Sequence, residues 1–170
     1  LSMVNLSEGD RAAQNATEEF ANQIQGAFGQ YREEAVFQNI DLGVAWFPAE
    51  WRLLNYVDYQ EAVASSLYSV EELDKIDKNP WQPYLGRLSA AIAFPDGVEI
   101  RLSIEDQVID PNDLFDQEKG ALPAILFLSS DEYTPFDILL THEEDAGVNV
   151  LVTGDGFGPV SVVSERVDER

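Results

Sequence analysis

The sequence predicts an α+β fold in which N-terminal helices pack on a mostly antiparallel meander sheet of about five or six strands. Three observations carry this. Apolar residues recur at three- and four-residue spacing near the N-terminus, the apolar period switches to two from Leu85 onward, and Gly- or Pro-bearing segments cut the second half into strand-length pieces. The length of 170 residues predicts a single domain over 1–170, with a helical and aromatic-rich part at 7–84 and a β-meander part at 85–167.

Ser7, with Asp10 three positions on, reads as a helix start. The helix that follows turns Ala13, Ala16, Phe20, Ile24, Ala27, Phe28 and Tyr31 to one face, while Arg11, Asn15, Glu18, Glu19, Asn22 and Gln25 fill the other. Gly26 and Gly29 each cost about 1 kcal/mol in a helix interior, so a kink or an early end is expected there.

Residues 40–84 hold all three Trp and four of the six Tyr. Ile40 to Phe47 reads as a strand ended by Pro48, and the Asp58/Glu61 and Ser69/Glu72 pairs open short helices near 59–68 and 70–77. Glu71 with Lys75, and Asp74 with Lys78, are i,i+4 acid-before-base pairs of a solvated helix face.

In the second half, Leu88, Ala90, Ile92 and Phe94 alternate up to Pro95-Asp96-Gly97, and Val98, Ile100, Leu102 and Ile104 alternate after it, which predicts a hairpin. Asp110-Pro111-Asn112-Asp113 opens a loop or helical turn, and Ala124 to Leu128 suits a strand buried on both faces. Strands at Phe136–His142, Val148–Thr153 and Val160–Val167 complete the meander.

Chemistry-bearing patterns are sparse. The chain has no Cys, which removes disulfides, thiolate metal sites and cysteine nucleophiles, and no apolar run approaches the ~20 residues that span a bilayer. His142 is the only histidine, lies at a strand end and has no Gly-x-Ser-x-Gly partner, so it reads as structural. Gly154-Asp155-Gly156-Phe157-Gly158 runs into a strand instead of a helix and reads as a hairpin turn, not a phosphate loop. Asp110, Asn112, Asp113, Asp116 and Glu118 have the oxygen chemistry of a hard-cation site but not its loop spacing. The sequons at Asn5 and Asn15 match chance frequency. No catalytic residue, metal or cofactor is expected.

Charge is the strongest signal: 32 acidic against 10 basic residues give a net −22. Such a surface repels nucleic acid and anionic membranes and attracts basic proteins. No Lys or Arg lies between Lys119 and Arg166, whereas Asp131, Glu132, Asp137, Glu143, Glu144, Asp145 and Asp155 do. These acids, with Trp46 and Trp51 as aromatic anchors, are the expected partner-binding residues of a non-catalytic acidic interaction or inhibitor protein. Its expected partner is a basic protein such as a nucleic-acid-binding protein or toxin. The alternatives are a salt-adapted domain, favoured by the even spread of acids (8, 12 and 12 over residues 1–57, 58–114 and 115–170), and a small carboxylate-based enzyme. Met3 as the native start implies a cytoplasmic protein; a mature secreted form is the other reading.

Overall fold

The computed structural model describes residues 8–167. In chain order the helices are α1 (Glu8–Gln38), α2 (Tyr59–Ser65) and α3 (Val70–Lys78), with a 3₁₀ turn at Pro111–Leu114. The first strands are β1 (Leu42–Trp46), β2 (Glu50–Tyr56), β3 (Trp81–Pro83), β4 (Ala91–Ala93), β5 (Val98–Ile104) and β6 (Gln107–Val108). They are followed by β7 (Phe115–Asp116), β8 (Gly120–Ala121), β9 (Pro123–Phe127), β10 (Phe136–His142), β11 (Asp145–Gly154) and β12 (Ser161–Arg166). The α+β class with an N-terminal helix on antiparallel sheets is as the sequence predicts. The described residues form two compact units, one of 8–29, 94–109 and 135–167, the other of 30–93 and 110–134.

The first unit carries a five-stranded antiparallel sheet ordered β12-β11-β10-β5-β6. Period-two patterning sends Ile138 and Leu140 of β10, Val148, Val150 and Val152 of β11 and Leu102 of β5 into its core. The N-terminal part of α1 covers that face with Phe20, Ala21, Ile24 and Phe28. Phe28 meets Phe136 edge-to-face at 5.4 Å, and Phe20 meets Phe94 in the same way at 6.4 Å. Outside the apolar stripe, the Gln25 amide donates to the Val160 carbonyl at 2.8 Å.

The second unit carries the sheet β3-β2-β1-β9, with β4 also paired to β2. Its core is Tyr31 and Ala35 of α1 with Leu42, Val44, Leu53, Ile125 and Phe127. The caps of α2 and α3 form as the sequence indicates: the Asp58 carboxylate accepts from the Glu61 N–H at 3.0 Å, and the Ser69 hydroxyl accepts from the Glu72 N–H at 3.1 Å.

Several expectations are corrected. The helix does not stop at Gly26 or Gly29; α1 runs 31 residues, about 46 Å at 1.5 Å per residue, and packing on both sides of the glycines outweighs their cost. Ala16 and Ala27 are only half-buried, and Thr17, Ala21 and Glu34 take inward positions. Ser7, the sequon at Asn5 and Met3 lie outside the described residues.

The predicted hairpin across Pro95-Asp96-Gly97 does not form. The turn exists, with the Val98 N–H donating to the Pro95 carbonyl at 3.3 Å. Its two arms nevertheless pair elsewhere, β4 with β2 (Ile92 opposite Trp51) and β5 with β10 (Leu102 opposite Ile138). Alternation fixes which face a side chain takes, not which strand lies beside it. Strand β2 goes unread in the sequence because the Leu53-Leu54 doublet breaks its alternation. Strand β9 buries Ile125 and Phe127 fully but leaves Ala124 and Leu126 half-buried, so it is not covered on both faces. Of the two helical ion pairs, Asp74–Lys78 closes at 3.3 Å. Among the described residues, Glu71 and Lys75 do not form an ion pair.

Gly97 has φ +80°, and a Cβ there would lie 2.5 Å from the His142 ring. Gly97→Ala therefore combines left-handed strain with displacement of a buried ring, and an expected loss of about 1–3 kcal/mol is checked by urea unfolding.

Candidate functional site

The most unusual chemistry lies in the second unit, where α1 ends. Tyr31 and Ala35 continue the apolar stripe inward, and the same face carries Glu34, only 1% exposed. A carboxylate there requires donors. The Tyr84 hydroxyl donates to Glu34 Oε2 at 2.5 Å, and Arg87 Nε donates to Oε1 at 3.3 Å. The Leu88 N–H in turn donates to the Tyr84 oxygen at 3.3 Å. The loop after β3 delivers both partners, and Gly86 lets it pass Tyr84, because a Cβ at that position would run into the phenol oxygen.

Charge and burial move these groups as expected. The Tyr84 hydroxyl, and after it Arg87, hold the Glu34 carboxyl below its usual value of 4.5 against the opposing effect of burial. Burial first, then the bond to Glu34, raises the Tyr84 phenol. Burial, with Tyr84 adding to it, pushes the Tyr31 phenol from 10.0 up to about 12.

The stability Glu34 contributes is thus complete above its ordinary value and is lost as pH falls through the lowered folded value. The raised phenols act at the other end: their contribution is complete below pH 10.0 and is lost as pH rises through the folded values, about 12 for Tyr31. Thermal melts should fall on both limbs, and Tyr31→Phe should shrink the alkaline fall while leaving the acid one.

Around this centre lie two cavities that share Arg87 as a wall, one of about 300 Å³ beside Gln38 and Asn55 and one of about 420 Å³ beside Glu33 and Asp131. Their rims are apolar and open: Phe37 is 77% exposed, Leu85 93% and Val36 46%. Large apolar side chains exposed around a fixed ion pair are the make-up of a protein contact surface.

The sequence-predicted partner residues are divided between the two units. Asp131 and Glu132 are exposed in the turn after β9, where Arg32 pairs with Asp131 at 3.3 Å. Trp51 is buried and meets the half-buried Trp46 edge-to-face at 5.7 Å. In the first unit, Glu143 and Glu144 are exposed at the β10–β11 turn, while Asp145 is buried and paired with Arg166 at 3.0 Å. Asp155 sits at the far end of β11, ten residues long and thus about 33 Å from those acids, with its Oδ1 accepting from the N–H groups of Phe157 and Gly158. Asp137 is exposed near that same end, opposite Thr153. His142 is buried at the strand end, and its Nδ1 accepts from the Glu144 N–H at 3.1 Å.

Sequence reasoning missed Glu34, Tyr84 and Arg87 as a group. One signal was present: Glu34 lies three residues beyond Tyr31 on the apolar stripe, where a charge is out of place unless paired.

Solved structures of minor pseudopilins share this fold. One crystal structure of the minor pseudopilin EpsH from the type II secretion system of Vibrio cholerae has a TM-score of 0.63 at 16% identity, covering 92% of this chain and 99% of that one. A second EpsH structure from the same system gives 0.60 at 14%, over 88% and 97%. The solution structure of E. coli GspH gives 0.60 at 15%, over 94% and 96%. No protein family and no curated protein matches the sequence.

This likeness corrects the functional reading drawn from charge. The solved chains named above, which share the fold over nearly their whole length, are pseudopilus proteins and not acidic inhibitors or nucleic-acid mimics, and the expected basic protein partner goes with that reading. A cytoplasmic location also gives way, since the named relatives from Vibrio cholerae belong to a secretion system. The physical reason is that net charge governs solubility and encounter rates and does not encode a fold or a role.

Proposed function

We propose that the chain is a structural subunit of a pseudopilus-like assembly, comparable to a minor pseudopilin, and works outside the cytoplasm. The carrying observation is the shared fold, which extends over 88–94% of this chain and 96–99% of the solved pseudopilin chains. The exposed apolar rim of Val36, Phe37 and Leu85 supports the reading, because an assembly subunit needs a surface that is covered by a neighbour. Net charge bears on which neighbour. Copies carrying −22 each repel one another, so contact with a different subunit is favoured over stacking of this chain on itself.

Deletion of the gene in the encoding organism tests this. The expected result is loss of secretion or of the assembled filament, restored by the wild-type gene and not by a Phe37→Asp/Leu85→Asp variant. Unchanged secretion and filaments in the deletion strain, with the protein of the wild-type strain recovered from the cytosol, would overturn it.

A further inference from the structure

The chain has only three lysines, Lys75, Lys78 and Lys119, and all three line one cavity of about 330 Å³ in the second unit. The convergence is built from two elements. Lys75 and Lys78 lie three residues apart in the last turn of α3, hence on one helix face. Lys119 comes from the turn between β7 and β8, distant in sequence. Buried Asn79, which caps α3, joins the two: its side-chain amide donates to the carbonyls of Lys119 at 3.1 Å and Ala121 at 2.9 Å. Its Oδ1 also accepts from the Trp81 N–H at 3.0 Å, so the same residue sets the aromatic wall.

Lysines in a last turn also complement the helix dipole, and for Lys78 that role and its Asp74 partner at 3.3 Å are sufficient. The dipole also favours Lys75, but it does not bring Lys119 there, and neither Lys75 nor Lys119 closes an ion pair among the described residues. Glu118 also lines the cavity, the Asp116 carboxylate attracts Lys119 from beside it, and Trp81 and Phe47 supply flat apolar surface. Acids outnumber bases 32 to 10 over the chain, so a cavity lined by three lysines and one carboxylate is a local concentration of basic residues. We propose that the cavity is a binding site for a small organic anion, its acid group on Lys75 and Lys119 and its planar apolar body against Trp81 and Phe47. A volume of about 330 Å³ is at the small end of ligand sites and suits a single-ring compound. This site is independent of the assembly role.

The probe is benzoate, with benzamide as its neutral isostere, followed through the indole N–H resonance of Trp81 assigned with Trp81→Phe. Benzoate should shift that resonance saturably, benzamide should not, and Lys75→Gln/Lys119→Gln should weaken benzoate by about tenfold or more. Lys119→Gln alone, in an exposed turn, should give a smaller loss and provides the test if the double variant does not fold. Equal shifts with benzamide, no shift with benzoate, or an unchanged benzoate affinity in a folded variant would each overturn the proposal.

Discussion

Replacing Phe28 with alanine should cost about 3–5 kcal/mol, the range for removing a fully buried aromatic ring from a core that closes only in part around the void. Phe28 is 0% exposed and stands edge-on to Phe136, on the face where α1 meets the sheet of the first unit. For a chain of this size such a loss lowers the melting temperature by roughly 6–20 °C. Phe37, also on α1 but 77% exposed, is the matched control: Phe37→Ala should change stability by no more than about 0.5 kcal/mol. Equal effects of the two substitutions in thermal and urea unfolding would mean that the inward face of α1 is misassigned.

The second large effect is expected at Tyr84. Tyr84→Phe keeps the ring and removes the hydroxyl that donates to the Glu34 carboxylate at 2.5 Å, leaving it the weaker support of Arg87 at 3.3 Å and of Gln38. Hydrogen bonds to a charged group are worth about 1.5–3 kcal/mol, and a buried carboxylate stripped of its better donor loses at least that. The pH profile distinguishes this from a simple packing defect. Tyr84 is the principal cause of the lowered Glu34 carboxyl, so in Tyr84→Phe the acid limb of the melting profile should move to higher pH. Gly86→Ala should act in the same direction, because its methyl displaces the same hydroxyl. A stability loss with an unmoved acid limb would show that the hydroxyl fills space there without holding the charge.

Much of the fold could be read from local rules. The caps at Asp58 and Ser69, the strand at Phe136–His142 and the glycine-rich turn before β12 each depend on residues within a few positions of one another. What failed was pairing at a distance. Ile92 and Leu102 alternate as a hairpin would, yet lie in different sheets, because period two records a face and carries no information about the neighbouring strand. The site around Glu34 failed for the same reason, since Tyr84 and Arg87 are fifty and fifty-three residues away from it. The lysine cavity was half legible: Lys75 and Lys78 were visible as a helix face, but only the fold brings Lys119 to them. Acidity, the most conspicuous property of the composition, was the least informative, because the same net charge is compatible with many folds and roles.

The most direct test of the central claim is site-specific photocrosslinking at Phe37 in cells of the encoding organism, with a benzophenone amino acid in place of the phenylalanine. Adducts to other subunits of a pseudopilus-like assembly, absent when the photoreactive group is placed at buried Ile138, are the predicted result. A protein that stays in the cytosol and gives no adduct to any filament subunit would contradict the assignment.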